Sequence, residues 1–194
     1  MNVGIVTTFL VGGIFLISIL SFNQQVLLTT QELTLNSINQ NNINDIVTVM
    51  TNDFNRIGFN TGSSDPFSRI DDDDIIFQSD AHDTDNFGVT NVRWYLDTSD
   101  PVTTTSNPND YYLKRVGPTS ANSYGTIKFP ATFFQLKYYT GNGTETSNPE
   151  FVRQVEVQLI VETGEPYSVS SSVKEYPKSV WKRIFVPNNI NLPF

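Results

Sequence analysis

From Val3 to Phe22 the chain runs through twenty residues without a charged side chain, VGIVTTFLVGGIFLISILSF, and no proline interrupts it until Pro66. Twenty helical residues rise about 30 Å, the thickness of a bilayer's hydrocarbon core, so this segment predicts a membrane-spanning helix. A cleaved signal peptide would have a shorter apolar core, a basic start and a small-residue cleavage site. Here Asn23, Gln24 and Gln25 lead straight back into an apolar pattern, and cleavage after Phe22 is not expected. Proteins with one span usually carry Lys or Arg on the cytoplasmic side, yet the first basic residue is Arg56. Either another feature sets the orientation, or a basic leader has already been removed and Met1 begins the mature chain; the second is the expectation.

After the span, Leu35, Ile38, Ile43, Ile46, Val47, Met50, Phe54 and Ile57 recur mostly at three- and four-residue intervals. They form one apolar stripe on a continuing helix. Asn36, Asn39, Gln40, Asn44, Asp45, Thr48, Asn52 and Asn55 lie on the polar side. Gly58 is placed to end the helix in a left-handed cap. A helix from Val3 to Ile57 is about 80 Å long, more than a small head can cover.

The pattern then changes to strands: Ile75–Gln78, Val89–Leu96, Tyr111–Val116, Thr126–Phe129, Phe133–Tyr139, Val152–Val161 and Val180–Val186, separated by segments rich in Asp, Asn, Ser, Gly and Pro. Val152–Val161 alternates most clearly, as a strand with one dry face does. Strands joined by hairpin-like turns predict an antiparallel sheet, and the amphipathic end of the helix is the partner available to cover it. The fold class expected is α+β, with a helix over residues 1–58 and a β-rich head over 59–194, the usual size of one domain.

The net charge of −8, from 20 acidic and 12 basic residues without a basic stripe, argues against a nucleic-acid partner. No cysteine and one histidine make the usual zinc site improbable. The run Asp71-Asp72-Asp73-Asp74 offers oxygens for Ca²⁺, but its spacing is not that of an EF-hand loop, and a solvated acidic turn is the plainer expectation. Asp80, Asp83 and Asp85 around His82 pose the same choice. No nucleophile accompanies His82 as a general base, and no nucleophile elbow or phosphate-binding glycine loop is present, so no enzymatic role is expected. Trp94, Tyr95, Tyr111, Tyr112, Tyr138, Tyr139 and Trp181 could stack sugars, although strand aromatics more commonly pack. Asn142-Gly143-Thr144 is a glycosylation sequon in a turn.

Asn52-Asp53-Phe54-Asn55-Arg56-Ile57-Gly58-Phe59 resembles the helix-end motif of W-type minor pilins and J-type minor pseudopilins. Val92-Arg93-Trp94-Tyr95-Leu96, Tyr112-Leu113-Lys114-Arg115, Phe133–Tyr139, Val152–Val157, and Trp181-Lys182-Arg183-Ile184 before Pro187-Asn188-Asn189 follow the order of those heads. The resemblance covers nearly the whole chain. It implies a type IV pilin-like subunit, anchored in the inner membrane before assembly and then polymerised with copies of itself or related pilins into a cell-surface filament. One departure is clear: the family's glutamate at the fifth mature position is replaced by Ile5 if Met1 is the first residue, and cleavage after Gly4 would put Phe9 there.

The expected assembly surface is Ile5, Phe9, Leu10, Ile14, Phe15, Ile17, Leu20 and Phe22. Close approach of helices would use Gly4, Gly12, Gly13, Thr7, Thr8, Ser18 and Ser21. Val26, Leu27, Ile38, Ile46, Met50, Phe54 and Ile57 are expected to hold the head and its neighbours. No cofactor is expected, apart from the Ca²⁺ candidates Asp71, Asp72, Asp73 and Asp74. The alternatives are a minor pseudopilin or tip subunit of a secretion or pilus machine, and a monomeric membrane-anchored adhesin.

Overall fold

The computed structural model describes residues 3–62, 65–80, 87–120, 122–170 and 173–190. Helix α1, Val3–Asn55, is a single helix of 53 residues. With no proline or charge to break its first half, and a stripe to bind its second, it stays continuous for about 80 Å. It closes in a tightened turn, in which Arg56 N–H donates to Asp53 O at 3.1 Å and Phe59 N–H to Arg56 O at 2.8 Å. Gly58 then adopts φ +76°, the left-handed conformation that favours glycine.

Strands β1 (Phe67–Ile70), β2 (Asp74–Asp80), β3 (Val89–Pro101), β4 (Tyr111–Ser120) and β5 (Ser123–Ala131) make a five-stranded antiparallel meander in chain order. Only Thr132 separates β5 from β6 (Phe133–Tyr139), yet the two lie in different sheets. At this corner Thr132 N–H donates to Ile160 O at 3.0 Å, committing the chain to β7 (Gln154–Glu162). After the hairpin of β8 (Tyr167–Ser170) and β9 (Val173–Glu175), β10 (Lys178–Phe185) completes a three-stranded antiparallel sheet ordered β10-β7-β6.

The fold is therefore α+β, one long helix packed on antiparallel structure, but the single expected sheet is two sheets and a separate hairpin. The seven expected strands all form. β1, β8 and β9 were not legible, because three or four residues give too short a window for alternation to register. The two sheets and the last turns of α1 share one core, with Ile46, Met50, Phe54 and Ile57 meeting Phe77, Val92 and Trp94 from the meander and Leu136, Val157 and Leu159 from the smaller sheet.

The acidic run forms the seam between sheets. Asp71 N–H donates to Asp74 O, while Asp72 O accepts from Leu136 N–H at 2.7 Å and Asp73 O from Leu96 N–H at 3.2 Å. The Tyr138 hydroxyl reaches Asp71 O at 2.7 Å. It is the backbone of this turn that joins β3 to β6.

Candidate functional site

The part of the molecule with least to hold it is the first half of α1. Ile5, Phe9, Leu10, Ile14, Phe15, Ile17, Leu20 and Phe22 are all exposed, and so are Val26, Leu27, Leu28 and Leu33 beyond the span. The exposed side chains point in every direction around the helix, as they do on a helix made for an apolar surround rather than for one packed face. The segment is long and apolar enough to cross a membrane, and none of its most apolar window is covered by the rest of the chain.

Three of its hydroxyls are satisfied internally. Thr7, Thr8 and Ser18 each donate to the carbonyl four residues earlier, Val3, Gly4 and Ile14, at 2.9 Å. No donor among them is left to face hydrocarbon, where an unmet one costs several kcal/mol. A Cβ added at Gly4, Gly12 or Gly13 would meet nothing else in the chain. The chain's own packing places no demand for glycine there.

Head packing begins at Asn39 and runs through Ile43, Ile46, Met50, Asp53 and Phe54. Ile38 departs from the expectation: it is 50% exposed, and Asn39, expected on the polar side, is 1% exposed. Four residues separate Asn39 from Ile43, so it sits one turn earlier in the same phase, with Ile38 rotated about 100° away. What Asn39 meets at that level is the polar end of a sheet. Its Nδ2 donates to Val161 O at 3.0 Å, Pro177 O at 3.3 Å and Ser179 Oγ at 3.1 Å. A leucine there would remove the donor that all three share, while Pro177 O keeps the Thr163 N–H at 2.9 Å and Ser179 Oγ keeps Gln40 Nε2 at 2.8 Å.

At the other end of the contact, Asp53 is buried among apolar neighbours. Arg115 Nε and Nη2 grip its two oxygens at 2.6 and 2.9 Å, and Trp94 Nε1 donates to Oδ2 at 2.8 Å. The remaining Arg115 nitrogen Nη1 reaches Pro118 O at 2.7 Å. One carboxylate of the helix thus fastens β3 and β4. Periodicity alone does not assign this cluster; its signal in the sequence is a charge at position 53, three residues from Met50 and four from Ile57, in the phase of the apolar stripe. At the helix end Asn189 Nδ2 points to the carbonyls of Asn55 and Ile57, at 3.4 Å each, covering groups a helix terminus leaves open.

The carboxylates of the acidic run do not converge on a metal. Asp74 is turned inward and held by Arg93, Nε to Oδ1 at 2.9 Å and Nη2 to Oδ2 at 2.7 Å, and by Arg69 Nη1 at 2.5 Å. Burial pushes its carboxyl up, and the two guanidiniums together outweigh that and hold it below the ordinary aspartate value. Asp71, Asp72 and Asp73 face solvent. Among the described residues no three His, Asp or Glu side chains group as metal ligands. Asp80 accepts from Asn60 at 2.8 Å; His82, Asp83 and Asp85 lie outside the described residues.

The aromatic side chains do not form a continuous outer platform. Trp94 is fully buried and stacks on Phe129, and Tyr138 is buried. Arg93 covers the Tyr95 ring at 3.9 Å, and Lys128 that of Tyr112 at 4.7 Å. Asn142 lies in an exposed turn where its side chain meets Thr140 and the Thr144 N–H. Comparison of the chain with protein-family models, with curated proteins and with solved structures finds no match.

Proposed function

We propose that this chain is a structural subunit of an extracellular type IV pilus-like filament, held in a membrane by α1 before assembly and polymerising through it, with the β-rich head on the outer wall. The observation that carries this reading is the length of unpartnered helix. From Val3 to Ile38 the helix rises about 54 Å, nearly twice what a span requires. A solitary anchor would leave Val26, Leu27, Leu28, Leu33 and Ile38, all exposed within the chain, in water. Bundling with the helices of other copies would remove them from it, at roughly 25 cal/mol per Å² of apolar surface buried. Repetition of one heterologous contact gives a filament rather than a closed ring.

A second reading within the same machinery, a minor or tip subunit, is favoured by one feature: no acidic residue precedes Glu32. The apolar half therefore lacks an intramembrane carboxylate with which to pair a neighbour's amine. The deciding experiment is negative-stain imaging and mass spectrometry of material sheared from cells. Abundant thin filaments composed of this chain support a major subunit; its presence at a few copies in filaments of another protein supports the tip reading. A chain confined to the membrane fraction, and indifferent to scrambling of residues 3–22 at constant hydrophobicity, is an anchored adhesin and overturns both.

A further inference from the structure

Asp110 is a carboxylate whose charge the fold leaves unanswered. It is 1% exposed, and no Lys, Arg or His forms an ion pair with it among the described residues. Oδ2 accepts from Thr105 Oγ1 at 2.9 Å, whereas Oδ1 is buried without a hydrogen-bond partner. Another acid, Glu162 at the end of β7, is reached through Asn107, whose carbonyl accepts from Asp110 N–H at 3.4 Å and whose side chain donates to Glu162. Glu162 accepts from Asn107 Nδ2 at 3.0 Å and has no ion pair among the described residues, although Lys178 is its cross-strand neighbour. A carboxylate removed from water with an open oxygen, beside a second carboxylate, is unfavourable as an anion, and either a proton or a bound cation relieves it.

The loop that carries Asp110 is tied to the end of β7 by further hydrogen bonds. Asn107 Nδ2 also donates to Thr163 O at 3.2 Å, Ser106 N–H to Gly164 O at 2.9 Å, and Tyr176 OH to Ser106 O at 2.9 Å. The β3–β4 loop, residues 102–110, is thereby laid against residues 162–165. We propose that Asp110 and Glu162 bind a hard divalent cation of the Ca²⁺ class, which clamps the 102–110 loop to the end of β7. Two carboxylates, with amide, carbonyl or water oxygens completing the shell, suit Ca²⁺ and not Zn²⁺, at the weak affinity of extracellular modules, roughly 10⁻⁴ to 10⁻³ M. The site is separate from the acidic run, whose one buried carboxylate already has two arginines.

The test uses the full chain in detergent micelles, stripped with chelator and returned to Ca²⁺, Mg²⁺ or Tb³⁺. Millimolar Ca²⁺ is expected to raise the melting temperature by several degrees, as a ligand specific to the folded state does. Tb³⁺ emission, sensitised through Tyr176, is expected to be displaced by Ca²⁺. Asp110→Asn and Glu162→Gln should lose both responses, and Asp72→Asn should keep them. Stripped Asp110→Asn should melt at or above the stripped parent, because the substitution removes an uncompensated charge. A parent protein whose melting ignores Ca²⁺, Tb³⁺ emission equal in parent and both variants, or stabilisation by acid alone, would overturn the proposal; the last would assign the site to a proton. If Asp110→Asn does not fold, the Tb³⁺ titrations of parent and Glu162→Gln decide.

Discussion

Asp53 and Asp74 carry the same charge into the head and are answered differently. Asp53 is sealed in the core with Arg115, so removing either partner strands the other in a medium that cannot solvate it. Arg115→Met or Asp53→Asn is expected to cost roughly 3–5 kcal/mol, read from urea unfolding followed by the fluorescence of Trp94, whose indole donates to the same carboxylate. Asp74 lies nearer solvent, and its contribution is visible in pH instead. With its folded pKa depressed by Arg93 and Arg69, its stabilisation is complete at neutral pH. It declines as pH falls past the unfolded value near 4 and is absent below the folded value. Asp74→Asn should flatten that part of the acid-unfolding curve while leaving its shape above about pH 6 unchanged. The sequence marked both aspartates, one in a helix-end motif and one in an acidic run. Arg115 lies 62 positions from Asp53, and Asp74 takes Arg93 from 19 positions away besides its near neighbour Arg69; folding selects the distant cations.

At the scale of elements, α1 is two helices in one. The first half is apolar all round and the second is sided, and both properties were legible from periodicity. The point at which the head takes hold was not. Hydropathy placed Ile38 inside and Asn39 outside; the sheet reverses them because its edge presents the carbonyls of Val161 and Pro177 there. Asn39→Leu is expected to destabilise the head by about 0.5–1.5 kcal/mol through the lost amide hydrogen bonds. Ile38→Ser should leave head unfolding unchanged within about 0.5 kcal/mol, as exposed substitutions do. Chemical denaturation of both variants checks the pair. Faster amide exchange at helix residues 39–46 in Asn39→Leu alone would locate the loss at the helix–sheet contact. The split of the expected sheet has a similar origin. β5 and β6 each alternate well, but β5 pairs with β4 and β6 with β7, so the chain changes sheets at Thr132.

For the whole molecule, head and free helix make separable demands. Phe9→Asp or Ile14→Asp touches no residue of the head core, so each variant is expected to keep the parent's head unfolding midpoint. Under the filament reading each should be absent from sheared filaments; electron microscopy and immunoblotting of sheared and membrane fractions measure this, and normal filaments carrying either variant would sink the reading. By itself the sequence determined a long helix, its membrane-compatible first half, the positions of seven strands and the α+β class. These follow from local periodicity, which depends on neighbours a few residues apart. Tertiary structure alone decided the division into two sheets, the joining of those sheets by the backbone of the acidic turn, the partners of Asp53, Asp74 and Asn39, and the burial of Asp110 beside Glu162. Each of these turns on groups far apart in the chain, and on whether an isolated polar atom meets water, a partner or neither once the core has closed.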